Sequence, residues 1–187
     1  MSVTVPSAGD EGLASWAAGV AHHVNGASIT AATGNISTTQ TQVVGLTIPA
    51  DVLEAGSTYR LSGWGIASNS GASVRALTLR VRCGPTTLTG NIAGSRAPNI
   101  VTAAAADAFK VEFLFTVRTA GASGTCIANG VTIGEATVPL NTQTFVSGDT
   151  GTVAVDTTVE NILELTAVTA HAEGTANFLL AAIERVA

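Results

Sequence analysis

Apolar and polar residues alternate along much of the chain from residue 41 onward. The clearest case is AFKVEFLFTVR, in which every second residue is apolar: Phe109, Val111, Phe113, Phe115 and Val117. A period of two places one set of side chains on a buried face and the other set toward solvent, so this stretch predicts a β-strand. The stretches TYRLSGWGIAS and SVRALTLRVRC have the same period and predict two further strands.

Turns rich in glycine, serine and asparagine, such as NSGAS and TAGASG, separate the predicted strands. Over about 150 residues this pattern is typical of a two-sheet sandwich or a barrel, and the length suits a jelly roll of roughly eight to ten strands. No segment of helical period interrupts the strands, so a parallel α/β sheet is not expected. We predict an all-β fold: a single antiparallel jelly-roll sandwich over residues 41–187, preceded over residues 27–40 by a connector or a first weak strand.

One helix is predicted ahead of the strands, in DEGLASWAAGVAHHVNG. Leu13, Trp16, Val20 and Val24 are three or four residues apart and form a single apolar stripe. A helix of about 16 residues is about 24 Å long and only marginally stable by itself. Its stripe must therefore dock on the chain's own β domain, on symmetry copies of the chain, or on the surface of a larger partner.

The predicted helix is bounded on both sides. Residues 1–9 form an extended arm, and Asn25-Gly26 supplies a stop, since glycine readily takes the left-handed conformation that ends a helix. Trp16 is the main reason to interpret the helix as part of an interface, because tryptophan is enriched where one chain inserts into another. The alternative is that Trp16 packs on the β domain of its own chain. We predict residues 1–26 to be an N-terminal arm with an attachment or trimerisation helix, anchored by Leu13, Trp16, Val20, His23 and Val24.

Composition excludes several classes of partner. The net charge is −5, whereas binding to nucleic acid phosphates needs a basic face. The chain has no basic start followed by an apolar segment, and no uninterrupted apolar run of membrane-spanning length, so we expect it to be made in the cytoplasm with no membrane partner. Charged residues make up only 11% of the chain, which suggests that much of the exterior contacts protein; an uncharged β-protein is the alternative.

Candidate metal and thiol chemistry is sparse. Cys83 and Cys126 do not form a paired metal motif and are expected to be reduced, although a disulfide between them stays open. His22 and His23 point about 100° apart on a helix and cannot chelate one ion together. In a parallel trimer, three copies of His23 could meet at one axis, but helix-end histidines that favour the negative C-terminus are the simpler interpretation. We expect His171 to be solvated, and we predict no metal and no cofactor.

Catalytic motifs of hydrolases, zinc proteases and nucleotide-binding loops are missing from the sequence. Glu160 and Glu164 could act as a carboxylate pair on sugars, but they lie in a strand-like run, where such acids usually face solvent. Arg80 and Arg82 form a basic strip that is expected to be a solvated outer face; contact with an acidic neighbour or an anionic glycan is the alternative. We expect the protein not to be an enzyme.

The later part of the chain resembles a known family. The run TQVVGLTIPADVLEAGSTYRLSGWGIASNSGASVRALTLRVRCGPTTL, followed in order by VEFLFTVRTAGASGTCIANGVT and TVAVDTTVENILELTAVTAHAEGTANFLLAAIERV, resembles a single jelly-roll domain of tailed-bacteriophage virion proteins. The resemblance covers roughly residues 40–187. It implies a domain that projects from a head or tail, commonly as a homotrimer, sometimes with a short N-terminal helix directed toward the virion. It implies no catalytic residues.

Together these features predict a structural protein of the virion. Its partners would be itself, as a homotrimer, and the major capsid protein or a tail protein of the same particle. Capsid decoration is favoured over a tail position because the chain has no long shaft. A receptor- or carbohydrate-binding module at a tail tip is the main alternative, although Trp64 and Tyr59 fall within predicted strands rather than loops.

Overall fold

Strands make up the regular secondary structure of the computed structural model, which describes residues 26–134, 143–145 and 151–187. In chain order the strands are β1 (Gly26–Ser28), β2 (Thr41–Ile48), β3 (Thr58–Asn69), β4 (Arg75–Gly84), β5 (Asn91–Arg96), β6 (Asn99–Ile100), β7 (Asp107–Thr119), β8 (Gly124–Gly134), β9 (Gln143–Phe145), β10 (Val153–Val155), β11 (Asn161–Thr169) and β12 (Gly174–Arg185). The predicted all-β fold is confirmed over these ranges. The predicted helix and its anchors lie outside the described residues.

The strands form two sheets in which every pairing is antiparallel. The larger sheet has the order β1-β12-β3-β7-β8-β10, with β9 also paired to β8. The smaller sheet has the order β2-β11-β4-β5, with β6 also paired to β4. The apolar faces of the two sheets enclose one core, so the described residues form a β-sandwich.

The strand order is that of a jelly roll. When β6, β8, β9 and β10 are set aside, the other eight strands, numbered along the chain, have the orders 1-8-3-6 and 2-7-4-5. Those are the two four-stranded sheets of an eight-stranded jelly roll. Strand β1 takes the first position in this order. For residues 27–40 the sequence had predicted either a connector or a first weak strand. Strands β8 and β10 widen one sheet beyond the basic jelly roll.

Aromatic side chains from the larger sheet fill much of the core. Phe115 and Tyr59 lie on paired strands with ring centroids 6.4 Å apart. Phe109 and Phe178 meet edge to face, with centroids 5.1 Å apart and an interplanar angle of 89°. Four of these large side chains on adjacent strands explain how a chain with only 4% aromatic residues can fill its interior.

Two glycines in β3 make room for these rings. A Cβ on Gly63 would lie 2.7 Å from Cε1 of Phe178, and a Cβ on Gly65 would lie 2.8 Å from Cζ of Phe109. Both glycines face inward, whereas Trp64 between them faces outward. The G-W-G run in the sequence therefore has a packing reason: aromatic rings occupy the inner side of β3 at this point.

Both cysteines are buried free thiols. Cys83 is on β4 and Cys126 is on β8, and their side chains face the core from opposite sheets. Burial raises the pKa of the Cys126 thiol to about 12. Burial also raises the pKa of the Cys83 thiol, with a smaller contribution from the nearby Cys126. The thiols therefore behave as small apolar side chains with little thiolate at neutral pH.

The folded protein is expected to resist thiol reagents. Cys83 and Cys126 should not react with Ellman's reagent in the native state, and both should react in concentrated guanidinium chloride without added reductant. Absorbance of the released thionitrobenzoate measures both states. A Val74→Cys variant provides the control, because Val74 is exposed and a thiol there should react at once. If denatured protein needs reductant before it reacts, the two thiols are bonded.

Candidate functional site

An exposed row of side chains crosses the outer surface of the larger sheet. Leu180 pairs with Trp64, Trp64 pairs with Lys110, and Lys110 pairs with Ile133, so the four residues lie side by side on β12, β3, β7 and β8. Leu114 lies on the same surface, four residues from Lys110 along β7. We call this surface the Trp64 face and define it by Trp64, Lys110, Leu114, Ile133, Leu179 and Leu180.

The large apolar side chains of the Trp64 face are open to solvent in the described structure. Trp64 is 51% exposed, Leu180 63% and Ile133 47%. The pairing between β12 and β3 shifts register between Phe178 and Leu180, which inserts Leu179 as an extra residue. The bulge leaves two successive leucines exposed, where strict alternation would have buried one of them.

Charged residues cross the same surface in alternating sign. Nη1 of Arg60 lies 3.0 Å from Oε1 of Glu184, and its Nε lies 4.0 Å from Oε1 of Glu112. The second oxygen of Glu112 lies 3.1 Å from Nζ of Lys110. That ammonium group also lies 5.2 Å from the centroid of the Trp64 ring, within the range of a cation–π contact. These exposed ion pairs add little to the free energy of unfolding, but they hold the charged side chains in a defined arrangement around Trp64.

This combination of groups suits binding rather than covalent chemistry. A half-exposed indole offers a flat apolar surface, and the adjacent ammonium and carboxylate groups offer hydrogen-bond donors and acceptors at its edge. Contiguous exposed apolar side chains on a folded domain indicate a surface that contacts another molecule.

On the outer surface of the smaller sheet, the prediction that Glu160 and Glu164 both face solvent is wrong for Glu164. Glu160 is exposed, but Glu164 is only 1% exposed. One oxygen of its carboxylate accepts a hydrogen bond from Nε2 of Gln42 at 2.7 Å, and the other accepts from the backbone N–H of Leu88 at 2.6 Å. Glu164 is thus a buried acceptor for the fold, and the two glutamates do not form a catalytic pair.

The segment 85–90 causes this burial by folding over the sheet. The segment is a turn, and Leu88 has a φ of 65°. The left-handed backbone directs the N–H of Leu88 toward Glu164, and the strand itself begins later, at Asn91. A non-glycine residue in this conformation is strained, so the hydrogen bond to the carboxylate helps to hold the turn.

The basic strip of Arg80 and Arg82 is half-buried and joined to the same hydrogen-bond network, so the prediction of a solvated outer face is corrected as well. Nη1 of Arg80 and Nη2 of Arg82 both donate to Oε1 of Gln40, at 3.0 and 3.3 Å. Nη1 of Arg82 also donates to the carbonyl of Gly90 at 2.8 Å. Burial and the neighbouring Arg80 lower the pKa of Arg82, while Glu164 opposes that change. The strip therefore holds segment 85–90 in place.

A small cleft of about 210 Å³ lies between segment 85–90 and the strand β10. Its lining includes Cys83, Asn91 and Asn161. The volume is below the range of roughly 300–1,000 Å³ that is typical of small-molecule sites.

Among the residues that the structure describes, no group of three or more histidine, cysteine, aspartate and glutamate side chains is placed to hold a metal ion. None of the described segments forms a helix long and apolar enough to cross a membrane.

The residues predicted as site residues are not those that the structure brings together. Leu13, Trp16, Val20, His23 and Val24 lie outside the described residues, and His22 does too. Trp64, Leu180 and Ile133 were not predicted as a site. The sequence did contain a signal for Trp64, since the alternation in TYRLSGWGIAS places it on the same face as Arg60 and Ser62, the polar side of the strand.

Comparison with known proteins adds little to this description. Neither a protein-family profile nor a curated protein matches the chain. A solved structure described as "CBM4 structure and function" is 14% identical with a TM-score of 0.32, and the match covers 87% of this chain and 95% of that one. The structure of infectious bursal disease virus Gx strain is 14% identical with a TM-score of 0.28, and the match covers 87% of this chain and 37% of that one. At these scores neither similarity carries an argument, and the jelly-roll assignment depends on the strand order of the chain itself.

Proposed function

We propose that the protein is a non-enzymatic structural component on the exterior of a tailed-phage particle, and that it decorates and stabilises the capsid as a homotrimer. The observation that carries the proposal is the Trp64 face, where large exposed apolar side chains lie among paired charges on a jelly roll with a buried core. The resemblance of residues 40–187 to phage virion domains supports the same function. In this proposal the protein acts in the virion, and its partners are its own copies and the major capsid protein.

The N-terminal segment has two tasks in this proposal. The arm, residues 1–9, contacts the shell, and the helix over residues 10–25 joins the copies. Many modest contacts repeated over a shell give high avidity, because each bound subunit raises the effective concentration of the next contact. A decoration protein therefore needs a stable domain and a docking segment rather than a catalytic site.

The proposal predicts that residues 1–25 control assembly. The full chain should sediment at three times its monomer mass of 18.6 kDa, whereas a chain that begins at Gly26 should remain folded but lose the trimer. Particles purified from a lysate of the phage that encodes the chain should bind the full protein and not the truncated one. Sedimentation velocity and co-sedimentation measure the two effects. A truncated chain that still decorates particles normally would contradict the proposal.

A single substitution tests the helix within the full chain. Trp16→Ala should leave the β domain folded but reduce both trimer formation and particle binding by at least about tenfold, because a buried tryptophan is among the most costly interface residues to remove. His22→Ala is the matched control, since residue 22 is on the opposite side of the predicted helix from Trp16. If both variants form trimers and bind particles equally well, Trp16 is not part of the interface.

Carbohydrate binding at a tail tip is the second candidate function, and one observation favours it. Trp64 is in a strand, yet it is half exposed and lies beside Lys110, so its position within a strand does not prevent contact with a ligand. A flat indole with charged neighbours is suited to stack on a sugar ring. A glycan array probed with the full chain and with Trp64→Ala tests this function: binding that the substitution abolishes supports it, and no binding by either protein excludes it for the glycans displayed.

A further inference from the structure

The Trp64 face lacks a covering element within the described residues. Trp64 and Leu180 are each more than half exposed and are direct neighbours across β3 and β12. Leu114 is 45% exposed on the same surface, on the far side of Glu112 along β7. Other exposed apolar residues, such as Val74 and Ile92, lie on other strands and loops and are isolated from this surface. Isolated apolar residues are ordinary on a protein surface, whereas a contiguous set indicates a contact.

The chain enters the described fold beside this face. Gly26 begins β1, which is the edge strand of the same sheet, and it pairs with Glu184 of β12. Before it come 25 residues, among which the sequence predicts one helix with a single apolar stripe. That stripe needs an apolar surface, because a helix of about 16 residues is marginal by itself. The Trp64 face is such a surface, and it belongs to the sheet from which the segment emerges.

The dimensions of the helix and the face agree. From Glu184 on β12 to Asn129 on β8 there are three strand spacings, or about 14 Å. From Asn129 to Ile133 along β8 there are four residues, or about 13 Å. The diagonal of the face is therefore about 19 Å, and a helix over residues 10–25 is about 24 Å long. One helix can thus cross the whole face.

The connection between the helix and β1 favours a helix from another copy over the chain's own. The predicted helix stop is Asn25-Gly26, but Gly26 is already paired with Glu184 in β1, so it belongs to the strand and not to a helix end. At most one residue is left for a reversal, whereas connections between a helix and a strand that pack on each other usually have about two to six residues. A hinge this short favours the exchange of the element between copies.

We propose that the Trp64 face binds the N-terminal helix, residues 10–25, of a second copy of this chain. The proposal deepens the proposed function, since it rests on the helix being an assembly element. The contact joins two different surfaces, helix to face, so it must either close into a ring or extend into a filament. Closure after three copies gives the trimer, and the arm over residues 1–9 remains available to the shell.

Disulfide trapping between two different full-length variants tests the contact. Chains with Trp16→Cys and chains with Leu180→Cys are mixed in denaturant, refolded together and oxidised. The expected product is a bond between the two kinds of chain, found on a non-reducing gel and identified by mass spectrometry of the linked peptides. The native thiols do not interfere, because both are buried and protonated. Val74→Cys replaces Leu180→Cys as the control, since residue 74 is similarly exposed but off the face.

A second measurement does not depend on disulfide geometry. Leu180→Ser should weaken self-association at least tenfold in sedimentation equilibrium without unfolding the domain, whereas Val74→Ser should not weaken it. Two results would overturn the proposal. The first is a disulfide bond within a single chain when one chain carries both Trp16→Cys and Leu180→Cys. The second is equal disulfide trapping at residues 74 and 180, combined with unchanged self-association of the Leu180→Ser variant. Particle binding is scored in the same samples. If the variants give either result but still bind particles, the proposed function is retained and only the contact between the helix and the Trp64 face is contradicted.

Discussion

Replacing Phe178 with alanine is expected to be among the most destabilising single substitutions in the domain, at about 4 kcal/mol in the free energy of unfolding. Phe178 is fully buried, and its ring meets Phe109 edge to face at 5.1 Å. The substitution removes that contact and leaves a cavity beneath β3, where Gly63 provides no side chain to fill it. Urea denaturation measures the change. For a domain with a typical stability of roughly 5–15 kcal/mol, a large part of the total would be lost.

The adjacent residue supplies the control for this prediction. Leu179 is 48% exposed, so in a chain that begins at Gly26 and lacks the N-terminal segment, Leu179→Ala should change stability by no more than about 0.5 kcal/mol. Gly63→Ala tests the packing from the other side, because its Cβ would lie 2.7 Å from the Phe178 ring and should cost about 2 kcal/mol. In the Phe178→Ala background the ring is gone, so the double variant should be more stable than the sum of the two changes predicts. Additive effects would mean that Gly63 and Phe178 are not in contact.

Replacing Glu164 with leucine is expected to cost about 3 kcal/mol, because the side chain is buried and both of its oxygens accept hydrogen bonds. Leucine would leave the N–H of Leu88 and the amide of Gln42 without their acceptors, and Arg82 would lose a nearby negative charge. Segment 85–90 should then detach from the sheet. Urea denaturation measures the stability, and hydrogen exchange at the Leu88 amide measures the local release.

Two further variants separate the causes of this loss. Glu164→Gln keeps an acceptor oxygen but not the charge, so it should lose less stability than leucine and should retain part of the protection at Leu88. Glu160→Leu changes an exposed glutamate of the same strand region and should stay within about 0.5 kcal/mol of the wild type. Equal stability of the Glu164→Leu and Glu160→Leu variants would show that segment 85–90 does not cover Glu164 in solution.

Local alternation was sufficient to predict the strands and their buried faces. In β7 the predicted inward set from Phe109 to Val117 is buried throughout, because a period of two depends only on the strand itself. The same rule puts Trp64 on the face of β3 that carries Arg60 and Ser62, which is the exposed face in the structure. The all-β class and the jelly-roll architecture followed from the number and spacing of such strands, and the strand order agrees with them.

Features that depend on residues distant in sequence were not predictable in this way. Glu164 is buried by a turn 76 residues earlier in the chain, and no local pattern in its own strand indicates that cover. The row from Leu180 to Ile133 needs the register of three strand pairs, and two of those pairs contain a register shift. Alternation alone would have placed Leu180 on the inner face with Phe178, and only the bulge at Leu179 turns it outward. The row itself appears only once the strands are paired. The predicted anchors, such as Trp16, remain predictions.

Both ends of the described domain are at the same pole of the sandwich. Gly26 lies level with Glu184, and the backbone N–H of Thr58 donates to the carbonyl of Ala187 at 2.8 Å. The turns at 70–74 and 170–173 lie at the opposite pole, where Arg75 and Glu173 form an ion pair at 2.6 Å. A tag or foreign domain fused to the C-terminus would therefore lie at the pole where residues 1–25 join the described domain. A peptide intended for display would instead have to be inserted into one of the distant turns.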